Sequence, residues 1–388
     1  MPSAADSGSV SVLYVSNGNI PSRWAHTIQT MKMCESLAEL VPRFRLLIAE
    51  SLAERALRRV DLWHWYGIER PFAVERLPLW LWRRAPHFES VAERRFSVAA
   101  PWRAARLRPA LVWTRSYAIA DRCLARGLPV LFERHSPSGD SWRPLLARMG
   151  ASPHLRGFVT NSEALVDAHR GAGIPAAKLA AVRNAAEPRL ASASRADRGT
   201  AREALGLPKE GALALYAGSL SPGKGIATLV DAAALAPALR FVVLGGSAAE
   251  VAYWRARAGA NVDFPGFVAN RELATWFAAA DVAVFPHSGA DPLAHSTSPL
   301  KVLDYATARV PIVAAAIPAI SGWLRDGDNA FLCRADDPAD LALALSRALA
   351  DPEEAAARAA RARASIGSFT WRERAAQILE RFAPELRC

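Results

Sequence analysis

Cysteine is scarce in this chain: four in 388 residues, Cys34, Cys123, Cys333 and Cys388, with no CxxC pair. That spacing excludes a disulfide framework and a thiolate zinc site, and predicts reduced thiols in a cytoplasmic protein. The N-terminus lacks a basic stretch followed by an apolar run, so no signal peptide is expected. No unbroken apolar run approaches the roughly 20 residues that span a bilayer. The expectation is an intracellular protein, soluble or peripheral, at most at the inner face of the cytoplasmic membrane. Neither GxxxxGK[ST] nor GxGxxG follows a first strand, which speaks against a P-loop NTPase and a dinucleotide dehydrogenase.

What is abundant is apolar residue and arginine. Hydrophobic residues make up 51%, enough for two cores, and the length suits two domains rather than one. The formal net charge of +11 favours anionic partners. Between Arg55 and Arg108 there are twelve arginines against five acids, interleaved with Trp63, Trp65, Trp80, Trp82 and Trp102. One reading is a solvated, variable segment with tryptophan in local packing. The other is a surface for anionic lipid or a lipid-linked acceptor, with indoles at headgroup level. No groove-reading or base-stacking module is recognisable, so nucleic acid is not an expected partner.

Short β-branched runs alternate with helical patterns, the mark of βαβ units and parallel sheets. Val10–Ser16 reads as a first strand and leads through Asn17-Gly18-Asn19 to a helix from about Ala25 to Leu40. Strands follow at Phe44–Ala49, Ala110–Thr114, Val130–Glu133 and Gly157–Thr160, then a helix over Ser162–Gly171. Residues 191–200 are small and polar, a linker by composition. A second series runs Ala212–Ala217, Ile226–Leu235, Arg240–Leu244, Ala248–Ala258, Val262–Phe264, Arg271–Ala279, Val282–Phe285, Ser298–Ala308 and Ile312–Ala315, strand and helix in turn, before a helical tail from Pro338. The pattern predicts an α/β protein of two doubly wound domains facing across a cleft, where such folds bind ligands. The expected division is 1–188 and 189–365, with a C-terminal helix over 366–388 packing back toward the first domain.

Two stretches carry chemistry. Ala217 to Gly225 places Lys224 after a strand and a glycine-permitted turn, just before a helix, where its ammonium and the helix N-terminus suit a phosphate; a solvent-facing lysine in a βα loop is the alternative. In Ser296–Ala306, Ser298 is placed to cap a helix with Pro299 at its first position. Lys301 and Asp304 then share one helical face. The carboxylate suits a vicinal diol, unless the two simply form a surface ion pair. His135, near Pro137 and Gly139, is either a reacting-centre group or a satisfied loop residue, with Glu133 and Asp140 as candidates to orient it. His26, beside Trp24 on the first helix, either contacts an acceptor or packs locally.

The stretch from Leu213 to Phe331 resembles the donor domain of retaining GT-B glycosyltransferases in the sucrose-synthase-like family, family 4, also called glycosyl transferases group 1. YAGSLSPGKGIATLVDA, VDFPGFVANRELATWFAAADVAVFPH and SPLKVLDYATARVPIVAAAIPAISGWLRDGDNAFL carry the resemblance in order; SNGNIPSRWAHTIQTMKMCESLAEL and LFERHSP extend it through the first half. The resemblance implies that Lys224 neutralises a donor diphosphate and that Asp304 binds the donor ribose. Backbone amides near Ser298, Leu300 and Lys301 would hold the β-phosphate and sugar. Ser219 would lie in the phosphate loop, and Phe267 and Val268 would border the nucleobase. Gly18 and Asn19 would approach the diphosphate from the first domain, His135 would touch the donor sugar, and Trp24 and His26 would meet the acceptor. The implied reaction is metal-independent, retaining hexosyl transfer from a UDP-sugar (or GDP-sugar) to a cell-envelope glycan, lipid-linked or small polar hydroxyl. The sequence departs from the family at three points. Ser219 replaces an arginine, Ser296 a glutamate and Asp304 a longer glutamate. Two rivals stay open. A non-hydrolysing nucleotide-sugar epimerase shares this two-domain shape but would need an additional carboxylate-rich acid/base set, which is not seen here. A non-catalytic nucleotide-sugar-binding subunit is suggested by the changes at Ser219 and Ser296.

Overall fold

A computed structural model describes residues 10–50, 60–78, 88–192, 197–296, 298–367 and 369–387. The chain folds as two compact units, residues 1–183 with 371–388, and 184–370. The first unit is built on a parallel sheet. Its strands are β1 (Val12–Val15), β2 (Arg45–Ala49), β3 (Val74–Leu77), β4 (Leu111–Thr114), β5 (Val130–Glu133), β6 (Leu155–Thr160) and β7 (Leu179–Ala181), in the order β3-β2-β1-β4-β5-β6-β7. All four residues of β1, β4 and β5 are buried, because helices cover both faces of a parallel sheet. Leu13, Val15, Val112, Val130, Phe132 and Phe158 form a core with Ala92, Phe96, Ala100 and Ala104 of the helix Phe88–Leu107. The C-terminal helix Trp371–Phe382 packs against the helix Ala25–Leu40 of the same unit.

The second unit repeats the plan with β8 (Leu213–Ala217), β9 (Arg240–Leu244), β10 (Val262–Gly266), β11 (Val282–Phe285), β12 (Ile312–Ala315) and β13 (Phe331–Cys333). The order is β10-β9-β8-β11-β12-β13, all parallel. Connections reverse direction between β8 and β11, so the loops after these strands diverge and leave a crevice at their C-terminal ends. Lys224 lies in one of those loops; Lys301 and Asp304 follow the other.

Some expectations shift. Residues 193–196 of the expected linker lie outside the described residues. Arg198–Ala204 is a helix, because Ala201 and the fully buried Arg202 anchor it, Arg202 bonding Asp281 at 2.8 Å. Arg55, Trp80 and Trp82 also lie outside. Trp63 packs edge-on against Phe72, and Trp65 Nε1 donates to Ser22 O at 3.1 Å. Trp102 is 58% exposed. Cys34, Cys123 and Cys333 are buried free thiols; Cys388 is outside the described residues. Among the described residues no helix is long and apolar enough to cross a membrane.

Candidate functional site

The second unit gathers five ionisable side chains where β8 and β11 diverge. Lys224 Nζ donates to Asp291 Oδ2 at 3.0 Å, with the two side chains 20% and 9% exposed. His287 Nε2 lies 3.0 Å from the same oxygen, off the hydrogen-bond direction. Its ring stacks on Phe285 at 5.3 Å. Burial, with the Lys224 and Lys301 charges, pushes the His287 pKa down to about 4, so the ring is neutral. Burial tends to raise the pKa of Asp291, but the Leu293 N–H and Lys224 outweigh it and hold the carboxyl below its usual range.

Lys301 stands differently. Its ammonium sits 5.0 Å over the Tyr216 ring and 6.0 Å from that of Phe285. It has no hydrogen bond or ion pair among the described residues. Burial and the nearby Lys224 charge bring its pKa down to about 7. One turn on, Asp304 likewise lacks a protein partner among the described residues, and burial with the Glu187 charge raises its pKa well above the carboxylate range. The alternative reading, a surface ion pair between Lys301 and Asp304, is therefore not what forms. A cation and an acid are both desolvated and left open, a costly arrangement unless a ligand completes it.

The frame behind these groups is firm. Tyr305 OH accepts from Ala217 N at 3.1 Å and donates to Val284 O at 3.3 Å, joining the ends of β8 and β11. Ser298 does not cap the helix as expected. The helix Leu300–Thr307 starts after Pro299, and Ser298 Oγ instead accepts from Asn184 N at 3.2 Å, while Asn184 Nδ2 donates to Ser298 O at 2.7 Å. The first amides of the helix, Leu300 and Lys301, have no acceptor within it, as at any helix start. Asn184 Oδ1 and Ser296 Oγ are buried without a partner among the described residues. Ser219 is exposed and bonds Ser221 Oγ at 2.8 Å. Phe267 and Val268 follow β10, with Val268 half-buried against the core.

In the first unit, Gly18 and Asn19 follow β1, and Gly18 N donates to Ser16 Oγ at 3.2 Å. Trp24 and His26 are exposed at the start of the first helix. His135 is almost enclosed, at 9% exposure. Its Nε2 lies 2.7 Å from Glu133 Oε1, and its Nδ1 has no partner. Glu133 also accepts from Trp113 Nε1 at 2.9 Å and from Arg374 at 3.0 Å. Burial and the Arg115 charge push the His135 pKa down to about 3. Asp140 does not orient it; that side chain is 91% exposed and pairs with Arg143. The chain's Asp-x-Asp, Asp326-Gly327-Asp328, is spent on structure. Asp326 accepts from Leu332 N and Arg347, and Asp328 pairs with Arg325.

Sequence reasoning missed Asp291, His287, Asn184 and Arg374. None follows a local motif; topology alone brings Arg374 to Glu133 across 241 positions.

The family described as glycosyl transferases group 1 matches residues 211–351, the segment that holds this cluster. The D-inositol 3-phosphate glycosyltransferase of Stackebrandtia nassauensis is 32% identical over 200 residues, 47% of this chain and 44% of that protein. The chain thus spans about half the length of the curated relatives it matches. Among solved structures, Anabaena HepE in complex with UDP and glucose covers 96% of this chain and 98% of its own, with TM-score 0.72 at 18% identity. The sucrose-phosphate synthase of Thermosynechococcus elongatus covers 95% and 98%, with TM-score 0.72 at 19% identity. Residues 211–351 thus match the glycosyl transferases group 1 model, and the chain shares the fold of these solved structures.

Proposed function

We propose that the protein transfers a sugar from a UDP-sugar to a hydroxyl acceptor with retention at the anomeric carbon, without a catalytic metal. The observation that carries this reading is the open Lys301 ammonium beside Lys224 and the unpaired Asp304 at the β8/β11 crevice. Two cations and a helix start suit a diphosphate, and a carboxylate one turn away suits the ribose diol. Departure of the nucleoside diphosphate leaves oxocarbenium-like character on the sugar and negative charge on the phosphate. Lys224 and Lys301 would stabilise that growing charge, placed beforehand in a site of low dielectric. Buried Asn184 Oδ1 and Ser296 Oγ, unsatisfied among the described residues, are suited to ligand hydroxyls. UDP is preferred because a structure of the same fold, HepE, binds UDP and glucose.

The acceptor is assigned to the first unit through Trp24 and His26, while Gly18, Asn19 and His135 are kept for the donor diphosphate and sugar. The name of the inositol-phosphate relatives supports a small polyol, and the cationic first unit supports one carrying negative charge. The helix Phe88–Leu107 exposes Val98 and Trp102 one turn apart, with Arg95 and Arg106 on either side. That pattern supports peripheral contact with anionic membrane, which co-sedimentation with phosphatidylglycerol vesicles tests. The transfer itself is tested by incubating the protein with UDP-glucose or a GDP-sugar and polyol-phosphate or lipid-extract acceptors, then measuring nucleoside diphosphate release. Release that depends on acceptor, with an α-linked product from an α-linked donor, is the expected result. Donor binding without release under any acceptor would leave a binding subunit, and donor isomerisation without acceptor an epimerase.

A further inference from the structure

We propose that Asp291 is a positioning residue that fixes the Lys224 ammonium for the donor diphosphate by clamping the loop after β8 to the loop after β11. The inference rests on the donor-site reading above and goes one residue deeper. The two loops touch where Ser288 N donates to Gly223 O at 3.1 Å. Gly223 has φ +84°, and a Cβ on it would lie 2.6 Å from Asp291 Oδ2, so only glycine lets the carboxylate this close. Asp291 is itself rigid. Its Oδ1 accepts from Leu293 N at 2.9 Å, its backbone N–H donates to Ser288 O at 3.3 Å, and its carbonyl accepts from Ala294 N at 2.8 Å. The remaining oxygen, Oδ2, meets Lys224.

A lysine ammonium carries three protons. Asp291 takes one, leaving two for phosphate oxygens. Ordering a free lysine costs rotamer entropy, and ordering it before the ligand arrives removes that cost from the binding step. The neutral His287 touches the same oxygen, so Lys224 is the cation that Asp291 holds. A carboxylate beside a phosphate site could instead compete with the ligand. The buried and triply anchored position of Asp291, against the more exposed lysine, favours aiming over competition.

The test is a double-mutant cycle read by the affinity for UDP and, in parallel, GDP. Calorimetry serves for the tight variants and ligand-observed NMR for the weak ones. Asp291→Asn keeps an oxygen for Leu293 N but sets an amide NH2 against Lys224; Asp291→Ser provides a second variant should the first fold poorly. The expected result is about a tenfold loss for Asp291→Asn, 1.4 kcal/mol, and a double variant with Lys224→Ala no weaker than Lys224→Ala alone. Independent losses that multiply would overturn the proposal, because a residue acting through Lys224 has nothing left to act through. Tighter binding by Asp291→Asn would overturn it in favour of competition. Wild-type protein that binds neither nucleotide removes the donor reading and this inference together, whereas multiplied losses on a binding wild type remove this inference alone.

Discussion

The two units each bury charge at the C-terminal ends of their central strands, and they settle it in different ways. In the first unit, Glu133 is enclosed by Arg374, His135 and Trp113. Burial tends to raise its pKa, but Arg374 and His135 hold the carboxyl well below its usual range. Arg374, fully buried, also donates to the carbonyls of Arg183 and Val182. In the second unit, Lys301 and Asp304 are one turn apart and unpaired among the described residues, and burial drives both toward their neutral forms. The first network pairs its buried carboxylate with a cation and holds the C-terminal helix to its sheet, although His135 Nδ1 and one Arg374 nitrogen find no partner among the described residues. In the second the charged groups themselves stand unpaired among the described residues, and desolvated charge without a partner is where a ligand is to be sought.

The strongest way to break this contrast is to open the paired network. Arg374→Met leaves Glu133 buried without its main cation, a loss of about 3–5 kcal/mol. Differential scanning calorimetry should show a large fall in the transition of the first unit, partly restored by adding Glu133→Gln. An unchanged transition with lost activity would mean that the Arg374 network is a reaction site rather than a brace.

Removing a cation from the second cluster should do the reverse. Lys224→Ala is expected to weaken UDP binding by about 10–100-fold, the worth of a charge-assisted hydrogen bond, while the melting temperature moves by no more than a few degrees. Near-normal affinity in a titration would reject Lys224 as a phosphate ligand.

Lys301 sharpens the contrast through pH. With its pKa brought down to about 7, the free protein loses this cation as pH rises past 7, whereas a bound diphosphate retains it. UDP affinity should therefore fall by up to about tenfold per unit between pH 7 and 9. The stability sign is opposite. Below pH 7 the folded protein carries a buried charge that the unfolded chain solvates, so this group destabilises the fold there; the cost is relieved as pH rises from 7 toward the unfolded lysine value. Lys301→Met should remove the pH slope of binding and raise the melting temperature at pH 6 by about 2–4 °C. A slope that survives in Lys301→Met belongs to another group.

The sequence reading reached the central strands of each sheet and the edge strand β10, and missed the other three edge strands. Arg240–Leu244, Val282–Phe285 and Ile312–Ala315 appear where expected, because a parallel strand buried on both faces reads as an unbroken apolar run. The strands that escaped it are β3, β7 and β13, all at sheet edges. In β3, Val74–Leu77 reads VERL, with no residue fully buried; half its surroundings are solvent, so polar residues are tolerated and the pattern fades. The same logic divides the site. Lys224, Lys301 and Asp304 stand beside glycine and proline punctuation and are legible. Asp291 and Asn184 gain meaning only from the crossover that brings distant loops together, and nothing local marks them.

The smallest expected effect isolates the open lysine from everything around it. A Cβ added at Gly218 would lie 1.9 Å from Lys301 Cε and 2.6 Å from its Nζ. The collision is with the far end of a flexible side chain rather than with backbone, so Gly218→Ala should fold and simply push the ammonium off the Tyr216 face. Both the lysine and its charge remain; only the placement changes. UDP affinity should then fall by about 3–10-fold, near 1 kcal/mol, with little change in melting temperature. That is less than losing Lys224, because a displaced cation still attracts phosphate through space. If Gly218→Ala binds UDP as tightly as the wild type, Lys301 acts by charge alone, and the close packing of glycine, lysine and tyrosine serves the fold rather than the ligand.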